Sequence, residues 1–98
     1  MNFKIEKPNE TVVSLARRIG YRPVGVDADN EYNLVRPLDR SGYPRFHIYV
    51  KKNNETGVFS ISLHLDQKKP SYKGSTAHSG EYEGEIVEKE AERIKKIW

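Results

Sequence analysis

Two alternating runs, RFHIYVKK from Arg45 to Lys52 and VFSISLHLD from Val58 to Asp66, are joined by the polar stretch Asn53-Asn54-Glu55-Thr56-Gly57. Successive side chains of a strand point to opposite faces, so this pattern predicts an antiparallel hairpin with one apolar side. Phe46, Ile48 and Val50 on the first strand must share a face with Phe59, Ile61, Leu63 and Leu65 on the second. Only registers that keep this parity are allowed, and each puts His47 opposite Ser62 or His64. The other side of the hairpin then carries Arg45, His47, Tyr49, Lys51, Ser60, Ser62, His64 and Asp66.

The rest of the chain supplies a cover for the apolar side. Val12, Leu15, Ala16 and Ile19 follow the helical i, i+3, i+4, i+7 rule, with Asn9 available as a cap, Arg17 and Arg18 in the last turn and Gly20 as the stop. Val24 and Val26 lead into Asp27-Ala28-Asp29-Asn30, a turn cluster that returns the chain through Glu31 to Leu38. Pro37 confines the end of that second strand to an edge or a bulge. From Glu85 to Trp98, a stripe of Val87, Ala91, Ile94 and Trp98, with Ile86 and Ile97 beside it, predicts a core-facing helix with acidic residues early and basic residues late. The expected fold is α+β in the order α-β-β-β-β-α. A three- to four-stranded antiparallel sheet carries the N- and C-terminal helices on one face, and residues 1–98 form a single domain.

Composition narrows the function. The 98 residues carry 17 Lys and Arg against 14 Asp and Glu, a net charge of +3 that permits a nucleic-acid partner without demanding one. With no cysteine, disulfides, thiol nucleophiles and cysteine metal sites are excluded. The opening MNFKIEKPNE has no apolar run, and no stretch approaches the length of a membrane span, so a cytoplasmic protein without a membrane partner is expected. No G-x-S-x-G, phosphate-binding glycine loop or dinucleotide fingerprint occurs.

The polar sheet side holds imidazoles, a cation and a phenol, a set suited to an anionic ligand, with His47 and His64 able to move a proton and Arg45 and Tyr49 able to contact a nucleic acid. Between Asp66 and Glu83 the chain has neither strand nor helix period. This stretch mixes Lys68, Lys69 and Lys73 with Pro70 and Tyr72, residues able to meet an RNA backbone and stack on a base. Tyr72, His78 and Tyr82 favour an ordered loop. Were it to fold back, His64, Asp66, His78 and Glu81 could form a His/carboxylate site, but their spacing matches no compact zinc motif. No metal or cofactor is assigned.

The run from Arg45-Phe46-His47-Ile48-Tyr49 through Leu63-His64-Leu65-Asp66-Gln67-Lys68 to Ala77-His78-Ser79-Gly80-Glu81-Tyr82 resembles a family of small uncharacterised bacterial proteins of no assigned activity. The order of elements, with His47 in a central strand and His64 at the end of the next, also resembles HicA-type mRNA interferases. That resemblance implies a double-stranded-RNA-binding-like fold and RNA cleavage by a strand histidine, carried here by His47. The expectation is an RNA-interacting protein, in its strongest form a toxin-like ribonuclease; the alternative is a protein-interaction module or homodimer that docks through its open face or a strand edge.

Overall fold

A computed structural model describes residues 1–67 and 84–97, together with the backbone of 80–81. Lys68, Lys69, Tyr72, Lys73, His78, Tyr82 and Trp98 lie outside the described residues. The elements run β1 (Asn2–Glu6), α1 (Val12–Ile19), β2 (Arg22–Val26), β3 (Tyr32–Pro37), β4 (Arg45–Asn53), β5 (Val58–Asp66), β6 (Gly80–Glu81) and α2 (Glu85–Ile97). The strands form one antiparallel sheet in the order β1-β5-β4-β3-β2, and β6 continues the β1 side of β5. This is an α+β fold with a helix near each end of the chain.

The hairpin of β4 and β5 is as its alternation dictates. Ile48 pairs with Leu63, Val50 with Ile61 and Phe46 with Leu65, and all six are buried with α1 and α2 in one core. Its turn is held by the Asn53 side chain, which accepts from the Glu55 and Thr56 amides at 2.9 and 3.2 Å, and by Gly57 at φ 73°. α1 buries Val12, Leu15, Ala16 and Ile19 and ends at left-handed Gly20, as the periodicity requires. Its cap is Thr11 rather than Asn9: the Thr11 hydroxyl accepts from the Ser14 amide at 3.1 Å, two residues further along the chain. Pro37 closes β3 beyond the reach of β2, whose pairing with β3 stops at Arg22 opposite Val35, so its missing N–H leaves no gap in a ladder.

Two strands exceed the sequence expectation. Asn2–Glu6 pairs along β5 from Ser62 to Val58 and turns Phe3 and Ile5 toward the core, which widens the sheet to five strands. Its alternation, Phe3 and Ile5 between polar residues, is a strand signal that the reading of the sequence passed over. β6 sits opposite Leu65 and Asp66 within the stretch expected to be irregular.

The α2 stripe is also revised. Ile86 and Ile97 are 44% and 41% exposed, whereas Glu90 is buried at 4% among Val87, Ala91 and Ile94. Glu90 accepts from the Tyr21 hydroxyl at 2.6 Å and from Arg93 at 2.7 and 2.9 Å, with Arg36 of β3 at 3.4 Å. Arg93 also donates to the Ile19 carbonyl at 2.6 Å. Burial, reinforced by the Glu90 carboxylate, pushes the Tyr21 hydroxyl's pKa up and keeps it a donor. This carboxylate joins the end of α1, the sheet and α2, a role that the stripe of apolar residues conceals.

At Gly57 a Cβ would sit 2.5 Å from Pro8 Cα, in a backbone conformation that side chains avoid, whereas at Gly25 it would meet nothing. Gly57→Ala is therefore expected to lower stability by about 1–3 kcal/mol or more, and Gly25→Ala to change it little, in urea unfolding. Glu90→Ala strands two guanidiniums and a buried hydroxyl, and should cost about 3–5 kcal/mol in the same measurement.

Candidate functional site

Strand parity places the second polar cluster on the sheet side away from both helices. In the β4–β5 register His47 stands directly opposite His64, Arg45 opposite Asp66 and Tyr49 opposite Ser62. On the next strand Val35 is opposite His47 and Asn33 opposite Tyr49. Three adjacent strands thus bring Asn33, Arg45, His47, Tyr49, His64 and Asp66 onto one patch.

Asp66 is the hub. Its Oδ2 accepts from Arg45 Nε at 3.0 Å and lies 3.1 Å from His47 Nδ1, while its Oδ1 lies 2.9 Å from His64 Nε2. The other nitrogen of His47, Nε2, is 2.8 Å from Asn33 Oδ1. The rings pack as well as bond: His47 stacks on Tyr49 with centroids 4.6 Å apart and lies 4.8 Å from His64, and Tyr49 is 5.6 Å from His64. Arg45 also lies over the Tyr43 ring at 4.7 Å.

This packing overturns the expectation of a solvent-open face. His47 and His64 are only 9% and 6% exposed, and Val35, on the same side by parity, is 0% exposed. The rings stack on one another, and one carboxylate gathers two imidazoles and a guanidinium. Burial holds the His47 imidazole's pKa below its ordinary value, with His64 and Arg45 pressing in the same direction and Asp66 opposing them. Arg45 gives its Nε–H to Asp66 and lays its guanidinium over Tyr43.

Beside the cluster, a shallow depression of ≈ 380 Å³ is lined by Asn2, Lys4, Glu31, Tyr49, Ser60 and Ser62. Lys51, opposite Ser60, is exposed on the same side. Accessible polar groups therefore form a rim around a nearly closed centre. Such a centre can relay a proton between imidazole and carboxylate or hold a cation on nitrogen and oxygen donors.

The sequence placed His47 opposite Ser62 or His64, with Arg45, Tyr49 and Asp66 on the same side, and the register selects His64. It missed Asn33. The available signal was an amide inside β3, where asparagine is depleted, at a position whose parity matches the polar side. Of the postulated set of His64, Asp66, His78 and Glu81, His64 and Asp66 adjoin each other, with His47 beside them among the described residues, while His78 and the Glu81 side chain lie outside those residues. Glu81 is placed by its backbone, opposite Leu65. No family model, curated protein or solved structure matches the chain.

Asp66→Asn keeps the shape of the hub but sets an NH₂ group among three donors. We expect a loss of about 1–3 kcal/mol in urea unfolding, while Ser60→Ala on the exposed rim should leave the midpoint near that of the unaltered protein.

Proposed function

We propose that this is a cytosolic RNA-binding protein, and in its stronger form a ribonuclease, whose ligand lies across the helix-free sheet face with its phosphodiester at the margin of the His47–Asp66–His64 centre. The carrying observation is the direct opposition of two imidazoles that share one carboxylate, next to a depression rimmed by Lys4, Tyr49 and two serines. Lys4 and Lys51 offer charge to phosphates, Tyr49 offers ring surface to a base, and Ser60 and Ser62 offer hydroxyls. Lys68, Lys69, Tyr72 and Lys73, outside the described residues, are further RNA contacts in this reading. The likeness to HicA-type interferases points the same way for His47, and the shared carboxylate adds His64 as its partner.

A second reading is a protein-interaction module that pairs through β2. All five residues of this edge strand are exposed, with Val24 and Val26 at 51% and 53%. Pro23 and the register shift between Pro23 and Gly25 weigh against it, because both interrupt the row of donors that another strand would use. A mass that stays monomeric in light scattering across a concentration series removes this reading.

For the RNA reading, affinity for a labelled single-stranded RNA should fall with salt. With three or four phosphate contacts the log–log slope is about −2 to −3. The double substitution Lys4→Ala and Lys51→Ala should make that slope shallower by about one. Cleavage, measured on the same RNA, should drop about 100-fold or more in His47→Ala. Binding that ignores salt defeats the phosphate contacts, and full cleavage without His47 defeats the assignment of that residue.

A further inference from the structure

We propose that His47, His64 and Asp66 form a binding site for one divalent transition-metal ion of the zinc, cobalt or nickel class. The inference concerns the residues of the proposed reacting centre but stands without RNA as a ligand.

The first argument is the position of the donors. One nitrogen from each imidazole and one carboxylate oxygen all lie within 4.8 Å of one another. The short separations run to the two oxygens of the one carboxylate, 3.1 Å from His47 Nδ1 to Oδ2 and 2.9 Å from His64 Nε2 to Oδ1. Two ligands bound to a common ion at about 2.0–2.2 Å, at tetrahedral or adjacent octahedral angles, stand about 2.8–3.6 Å apart, a range that holds both short contacts; the wider separations of the set close by a small side-chain rotation when the ion binds. The donors come from neighbouring positions of β4 and β5, so a paired backbone fixes their spacing before any ion arrives.

The second argument is the set of partners behind the donors. His47 has an oxygen facing each nitrogen, Asn33 Oδ1 at 2.8 Å and Asp66 Oδ2 at 3.1 Å. A neutral imidazole has a single N–H. If Nε2–H donates to Asn33, the Nδ1 lone pair is turned toward Asp66 and His64, where a metal ion uses it. Metal-ligating histidines are commonly held in this way, with the remote N–H given to an amide or carboxylate oxygen. Arg45 plays the matching part for Asp66, holding Oδ2 at 3.0 Å while Oδ1 faces His64.

The chemistry of the set selects the ion. Two imidazoles and one carboxylate suit zinc, cobalt and nickel, whereas magnesium and calcium prefer oxygen donors and water. Arg45 sharpens this choice: its positive charge offsets that of Asp66, so an ion bound chiefly by charge gains little there. The ion has to be held by its bonds to nitrogen.

The test uses the full chain, freed of metal with a chelator that is then removed, and no RNA. Cobalt(II) added at pH 7.5 should give a saturable visible absorption at one equivalent, displaced by zinc, with magnesium inert. His64→Gln and Asp66→Asn should each weaken binding at least about tenfold, and Asn33→Ala, which removes a partner and no ligand, by about tenfold. Imidazole NMR of the unsubstituted protein guards against variants that fail to fold: zinc should shift the ring signals of His47 and His64. Absence of one-to-one binding, a zinc shift confined to His78, or unchanged affinity in both His64→Gln and Asp66→Asn would overturn the site. The first of these results leaves a cluster closed by hydrogen bonds alone, with the Asn33 amide turned so that its NH₂ donates to His47.

Discussion

The register between β4 and β5 governs both sides of the protein. Because the side-chain period of a strand is two, one residue of slip would carry Phe46, Ile48 and Val50 out of the core and bring His47 and Tyr49 into it. The turn prevents this. Asn53 caps the two amides that follow it, Gly57 takes a conformation open to few other residues, and its amide returns to the Asn53 carbonyl at 2.8 Å. The chain ahead of α1 adds a lock, since Lys7 donates to the Gly57 carbonyl at 2.9 Å and Lys52 to the Glu10 carbonyl at 2.7 Å. A single hairpin turn thus aligns the apolar layer and the polar cluster together.

Both buried polar clusters are organised by one carboxylate, yet their electrostatics differ. Glu90 meets two guanidiniums that stay charged and a hydroxyl that burial keeps protonated, so its donors are fixed at any ordinary pH. That arrangement has one state and acts as a tie between α1, the sheet and α2. Asp66 meets one guanidinium, a fixed donor, and two imidazoles, whose protons and lone pairs can exchange roles. A cluster with alternative states can respond to a ligand, and for that reason the functional reading rests on Asp66.

Much of this was legible in the sequence because alternation and helical period are local signals. The hairpin parity, the buried face of α1, the glycine stop and the shared face of the two histidines all follow from residues less than about twenty positions apart. Most of what was missed depends on distant partners. β1 shows its alternation locally, but the edge it joins, on β5, is sixty residues away. Glu90 looks like one more exposed glutamate until Tyr21 and Arg36 arrive from other elements, and Asn33 gains meaning only from His47. The enclosure of the imidazoles belongs to the same class: parity says which side a ring is on, but what packs around it decides whether water reaches it.

That enclosure also sorts ligands by size. A cluster 6–9% exposed at its imidazoles admits an ion or a water-sized group, while a polymer must remain at the rim with Lys4, Tyr49, Ser60 and Ser62. The metal and RNA readings therefore ask different things of the same patch. The ion needs the buried nitrogens and their rigid spacing; the nucleic acid needs the exposed cations and hydroxyls. If both hold, the phosphodiester would meet the centre only at the Asp66 and Tyr49 margin, where the low dielectric of the packed rings strengthens whatever charge the centre carries. Distance from solvent, which counts against an open acid–base pair, favours a site that works through a bound cation.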